Sequence, residues 1–137
     1  MKLQLKHLAP YLPHKLKMIF EGKGGRIIEL SSLSFNTLGE TFSDGRGGMW
    51  LDRSGFKPIL QPFSYLKEDD VLQYFKHYDQ VIIENSTILL NGKGMNSLFF
   101  EIHNLPFDFT QKLFEQHIDV FGLIEKGLAV DINTLKP

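Results

Sequence analysis

There is no cysteine in this chain of 137 residues. That removes disulfide bridges, thiolate zinc ligation and cysteine nucleophiles together, and it suits a reducing compartment. No apolar run approaches the length that crosses a bilayer, and Met1-Lys2-Leu3 leads into a Lys- and His-punctuated segment rather than the apolar core of a signal peptide. The chain is therefore expected to be cytoplasmic, with no membrane partner. Asn85-Ser86-Thr87 matches a glycosylation sequon, which has no use without secretion. Internal repeats, heptads, low-complexity tracts, a Walker loop and a Gly-x-Ser-x-Gly nucleophile elbow are all missing as well.

What is present is a globular composition: 42% apolar residues, 12 of them Phe, with 23% charged. A chain of this length forms one domain, residues 1–137, and buries roughly two-thirds of its unfolded surface. The net charge of −1 hides an asymmetry. Residues 1–57 carry nine Lys/Arg against five Asp/Glu, or +4, and residues 58–137 carry six against eleven, or −5. Kept on separate faces, such halves would offer one surface to an acidic partner and another to a basic one. Mixed, they would neutralise each other.

Periodicity predicts an α+β fold: a twisted antiparallel sheet of hairpins and a meander, with a long C-terminal helix and a shorter middle helix packed on one face. Leu5, Leu8 and Leu12 mark an N-terminal helical turn. Alternation over Lys15 to Glu21, a glycine turn and Arg26 to Leu30 give a hairpin. Ser31 to Gly48 lacks a sustained period and reads as a long loop or ragged strand pair. Met49 to Leu51 and Phe56 to Leu60 bracket a turn at Asp52-Arg53-Ser54-Gly55 and suggest a second hairpin, with Pro58 and Pro62 holding its second strand at an edge or ending it early. Lys67 to His77 is the middle helix, with Glu68, Asp69 and Asp70 at its positive end. Val81 to Ile83, Thr87 to Leu90 and Leu98 to Ile102 form the meander. The long helix runs from an Asp108 cap, with Gln111 reaching back, through Leu113, Phe114, His117, Ile118, Phe121 and Ile124 to Gly127, with Lys112, Glu115, Asp119 and Lys126 opposite. Leu128 to Leu135 then folds back as an extended segment or short strand against the same core.

Few residues offer chemistry. His117 falls on the apolar face of the long helix, where a neutral imidazole needs a partner. That partner would come from Glu101, Asp131 or a backbone carbonyl, because Asp119 projects the other way; a structural role is expected. Glu101 and His103 have strand i, i+2 ligand spacing, a pattern too common to imply a metal. His7, His14 and His77 fall near element ends and should be exposed. The glycine-rich stretches Gly22 to Gly25, Asp44 to Gly48 and Asn91 to Gly94 read as hairpin turns. No catalytic residue, cofactor or metal is expected. A single-stranded nucleic-acid surface would draw on Lys15, Lys17, Lys23, Arg26, Arg46, Arg53 and Lys57, with Phe20, Phe42, Trp50 and Phe56 as stacking platforms.

Leu8-Ala9-Pro10-Tyr11-Leu12-Pro13, Lys57-Pro58-Ile59-Leu60-Gln61-Pro62 and the run from His117-Ile118-Asp119 to Asp131-Ile132-Asn133 resemble short proteins encoded in phages, prophages and mobile elements of Bacteroides-type gut bacteria. That family often has Arg where this chain has Gln61 and Asp near Tyr65, so no ion pair carries over. The resemblance implies a mobile-element context and no reaction. The expected function is a non-enzymatic accessory or regulatory protein acting through contact with a protein partner, with homo-oligomers left open. The alternative is a single-stranded nucleic-acid-binding module built on the basic, aromatic N-terminal half. A third reading, an enzyme, would need His117, His103 and Glu101 in one pocket.

Overall fold

The computed structural model describes residues 2–21, 25–36, 38–51, 54–84 and 86–135. Residues 22–24 of the first turn, Asp52, Arg53 and Asn85 of the sequon lie outside them.

A short helix α1 (Leu5–Leu8) runs into a 3-10 turn over Ala9–His14, which closes at Lys15 in a left-handed conformation, φ 56°. Leu8 and Tyr11 point inward and are fully buried. Strands β1 (Lys17–Phe20) and β2 (Ile27–Glu29) pair antiparallel, Met18 opposite Ile28, as the alternation predicts. The segment read as a loop or ragged strand pair forms β3 (Ser32–Asn36), β4 (Gly39–Ser43) and β5 (Gly48–Trp50). Register explains how so polar a stretch folds: Leu33, Phe42 and Met49 align across the three strands, and Phe42 carries that row into the core.

The predicted hairpin between Met49-Leu51 and Phe56-Leu60 does not form. Strand β6 (Phe56–Leu60) pairs with β1, Phe56 opposite Phe20 and Pro58 opposite Met18. Four of its five residues are buried, a run apolar on both faces, and that pattern belongs in a sheet interior rather than at an edge. Phe56 packs against both Phe20 (5.5 Å between ring centres) and Phe42 (5.9 Å), joining two sheets through one ring.

A 3-10 turn over Phe63–Tyr65 precedes α2 (Glu68–Tyr74), whose first turn carries three carboxylates. The meander β7 (Gln80–Ile83), β8 (Thr87–Asn91) and β9 (Leu98–Glu101) follows in the predicted order. Then come α3 (Phe107–Glu115) and a two-residue β10 (Val130–Asp131), parallel to β6. Among the described residues there are three sheets instead of one antiparallel sheet, ordered β10-β6-β1-β2, β3-β4-β5 and β7-β8-β9, around one continuous core. Among the described residues no helix is long and apolar enough to cross a membrane.

The long C-terminal helix is the largest correction. Helix α3 ends at Glu115 because the Ile118 amide donates to Leu113 O (2.9 Å) and the His117 amide to Phe114 O (3.0 Å), with His117 left-handed at φ 58°. This is the Schellman stop, with His where glycine is usual and with Ile118 and Leu113 both buried as its apolar contact. Nor does Asp108 cap the start: Pro106 holds that position, and Asp108 sits within the first turn. There it still complements the helix dipole.

Candidate functional site

Residues 117–131 form a loop whose two ends both lie along β6. Ile118 bridges Gln61 in parallel, with Gln61 N donating to His117 O and Asp119 N to Gln61 O, each 2.8 Å; Val130 and Asp131 pair with Ile59 and Leu60. Inside, Asp119 is only 6% exposed, not on an outer helix face as its spacing predicts. Its two carboxylate oxygens accept from Leu123 N (2.8 Å) and Ile124 N (2.9 Å), starting a single turn. Gly127, φ 74°, closes that turn, with Leu128 N donating to Leu123 O. The glycine stop is where the sequence places it but ends one turn rather than a long helix. Tyr11 pins the loop from the other side: its hydroxyl donates to Ile118 O and accepts from Val120 N (3.2 Å). Burial, and less so the nearby Asp119 carboxylate, push the phenol above its ordinary pKa, so it stays a donor.

His117, His103 and Glu101 do not converge. The His117 ring is half-buried and its Nε2 donates to His14 O at 2.6 Å, which ties the helix stop to the N-terminal turn. Glu101 ends β9, whereas His103 lies in a 3-10 turn over Ile102–Asn104; the two side chains meet at 3.0 Å, both more than half exposed. His103 borders a cleft of about 600 Å³ between the 117–131 loop and the 62–64 turn, with Phe121, Ile124 and Lys126 on its loop side; His117 is not among its walls. Lys126 Nζ there donates to Phe121 O (3.3 Å). Among the described residues no group of three His or carboxylate side chains could hold a metal.

The basic half is similarly dispersed. Arg26 reaches Asp44 (3.8 Å), Lys57 meets Glu21 (2.5 Å), and Lys17 stands across the ladder from Glu29. Asp44 sits between Arg26 and the exposed Arg46; its carboxyl is held below the usual range by the Arg46 amide first, then by the Gly47 amide and the Arg26 guanidinium. A fixed carboxylate there repels phosphate. Lys15 is exposed at its turn, and Arg53 lies outside the described residues. Phe42 and Phe56 are core residues, which corrects their reading as stacking platforms, and the half-buried Trp50 ring lies over Gly39, where a Cβ would meet it at 3.3 Å.

One histidine that the sequence placed at an exposed element end is buried. His7 is 5% exposed, with its ring edge-on to Phe121 (5.6 Å) and its Nδ1 accepting from Gln4 N (3.0 Å). Glu40 caps the same helix at Leu5 N (3.0 Å). Burial, then repulsion from Lys6 and Lys126, hold the imidazole below its ordinary pKa of 6.5, against a smaller opposing pull from Glu40. The unfolded chain therefore takes up this proton first. Stability from His7 is complete above pH 6.5, declines as pH falls below it, and levels off once the folded imidazole also protonates. Urea midpoints between pH 7.5 and 5 should fall less in His7→Gln than in the parent chain; parallel declines would contradict this.

The most distinctive surface lies elsewhere, on the solvent side of the meander. Register places Ile82, Leu89 and Phe99 opposite one another on β7, β8 and β9, while the alternating residues Val81, Leu90 and Leu98 face inward. Ile82 is 42% exposed and Phe99 57%, with Leu89 half-buried between them. The sequence does not single out this row, because each strand is an unbroken apolar run and only the register shows which residue faces outward. The chain matches no family model, no curated protein and no solved structure.

Proposed function

We propose that this chain is a non-enzymatic accessory or regulatory protein of phage or prophage type that works by protein–protein contact, through the solvent face of β7-β8-β9. The observation that carries the contact reading is the exposed cross-strand row Ile82-Leu89-Phe99. Three aligned apolar side chains on the outer face of a sheet form a patch of the kind interfaces bury, whereas scattered single residues carry no such meaning. The mobile-element context rests on the resemblance of Leu8 to Pro13, Lys57 to Pro62 and His117 to Asn133 to phage and prophage proteins.

Ile82→Ser with Phe99→Ser removes the two exposed members of the row without touching the core. The parent chain, immobilised in lysate of a prophage-bearing Bacteroides-type host, should retain a specific protein that the folded doublet releases. Retention of that protein by both, or of none by either, would overturn this reading.

A further inference from the structure

We infer that the partner segment received by this face is a basic amphipathic helix; the inference rests on the contact reading above and names the chemistry of its partner. The rows flanking the apolar one set the chemistry of the partner. Glu84 N donates to Thr87 O, and Thr87 stands opposite Glu101, so Glu84, Thr87 and Glu101 form a row two residues along from Ile82, Leu89 and Phe99. A strand repeats its face every two residues, so the rows share one side of the sheet about 7 Å apart. Exposure agrees: both glutamates point to solvent. At the other end stand Gln80 and Asn91, with Asn91 accepting from Ser97. The face therefore runs from carboxylates through an apolar stripe to neutral amides.

Two dimensions of this pattern select the occupant. Three strands at their usual spacing spread the stripe over about 10 Å, and a helix laid across them presents residues i, i+3 or i+4, and i+7 over about the same length. Lysine or arginine on one flank of that helix reaches a carboxylate row about 7 Å away. Across residues 78–103 the charges are Asp79, Glu84 and Glu101 against Lys93, with the His103 ring 3.0 Å from Glu101, so fixed negative charge is in excess and the region attracts cations. Of a second copy's cations, Arg26, Lys57 and Lys17 already face Asp44, Glu21 and Glu29, so these three are poor donors to the carboxylate row.

The test uses three fluorescein-labelled peptides of about 18 residues, five helical turns, with leucine at helical stripe spacing and lysine, serine or glutamate elsewhere. Titrated by anisotropy at roughly 0.15 M salt, the Leu/Lys peptide should bind tightest, by about fivefold or more over Leu/Ser. Glu84→Gln with Glu101→Gln should erase that preference while leaving Leu/Ser binding unchanged, and Ile82→Ser with Phe99→Ser should abolish binding of both. All four positions are at the surface, and thermal melts of the variants check the fold. Equal binding of Leu/Lys and Leu/Ser, or a preference for Leu/Glu, overturns the basic partner yet leaves the contact face standing. No binding of any peptide, or binding that ignores the Ile82/Phe99 doublet, overturns both. Self-association through this face, seen by sedimentation and lost in the doublet, assigns it to a second copy and overturns the inference.

Discussion

Tyr11→Ala lowers the unfolding free energy by about 3–5 kcal/mol, the range for deleting a fully buried aromatic ring. The ring is completely enclosed and sits edge-on against Phe114, 4.9 Å between centres at 88°. Tyr11→Phe separates the ring from the hydroxyl. It keeps the packing but strands the carbonyl of Ile118 and the amide of Val120, for a cost of about 1–3 kcal/mol. Urea unfolding followed by far-ultraviolet circular dichroism and by Trp50 fluorescence measures both. A Phe variant as stable as the parent would show that packing alone holds the loop to the N-terminal turn.

The second large effect falls on Asp119. Removing its carboxylate in Asp119→Ala leaves the amides of Leu123 and Ile124 without acceptors in a largely buried turn, at a cost of about 3–6 kcal/mol, from about 1.5–3 kcal/mol for each of two hydrogen bonds to a charged group. Asp119→Asn retains one strong acceptor and should lose about half as much. Native-state hydrogen exchange localises the damage: the Leu123 and Ile124 amides should exchange faster in both variants while those of β7-β8-β9 stay protected. Unchanged exchange at Leu123 would mean that the turn is held by its packing and by the Gly127 stop instead.

These two residues also show where reading the sequence stopped working. The meander, the first hairpin and α2 were legible from their apolar runs and the turns between them, and in α2 the period of 3.6 appears directly in the residue order. Beyond Glu115 the same reasoning failed. Ile118, Val120 and Leu123 are buried, as a helix would bury them, but by a loop folded onto β6, and chance spacing imitated a helical stripe. The stop sits at a histidine, where a search for glycine or proline finds nothing, and its stabilising contact to His14 crosses 103 positions. Asp119 is invisible for a related reason: a carboxylate caps buried amides in a conformation that is known only once the helix is known to have ended. His7 was expected outside because it falls near an element end, whereas Phe121, more than a hundred positions away, covers it. The carboxylates of the candidate face flank those strands in the sequence, but Val81-Ile82-Ile83, Ile88-Leu89-Leu90 and Leu98-Phe99-Phe100 are apolar throughout, so only register shows which of them face outward.

The C-terminal aromatic and aliphatic residues are architecture, folded inward by Tyr11, Asp119 and His117, and the surface proposed for contact is the open side of the meander. Relaxation of assigned methyl groups by a soluble gadolinium chelate reports both halves in one spectrum. Ile82 should relax strongly and Leu89 measurably, while Ile118 and Leu123 stay near the level of the core methyls of Leu8 and Ile88. Strong relaxation at Ile118 and Leu123, or protection of Ile82 in the monomer, would contradict the account.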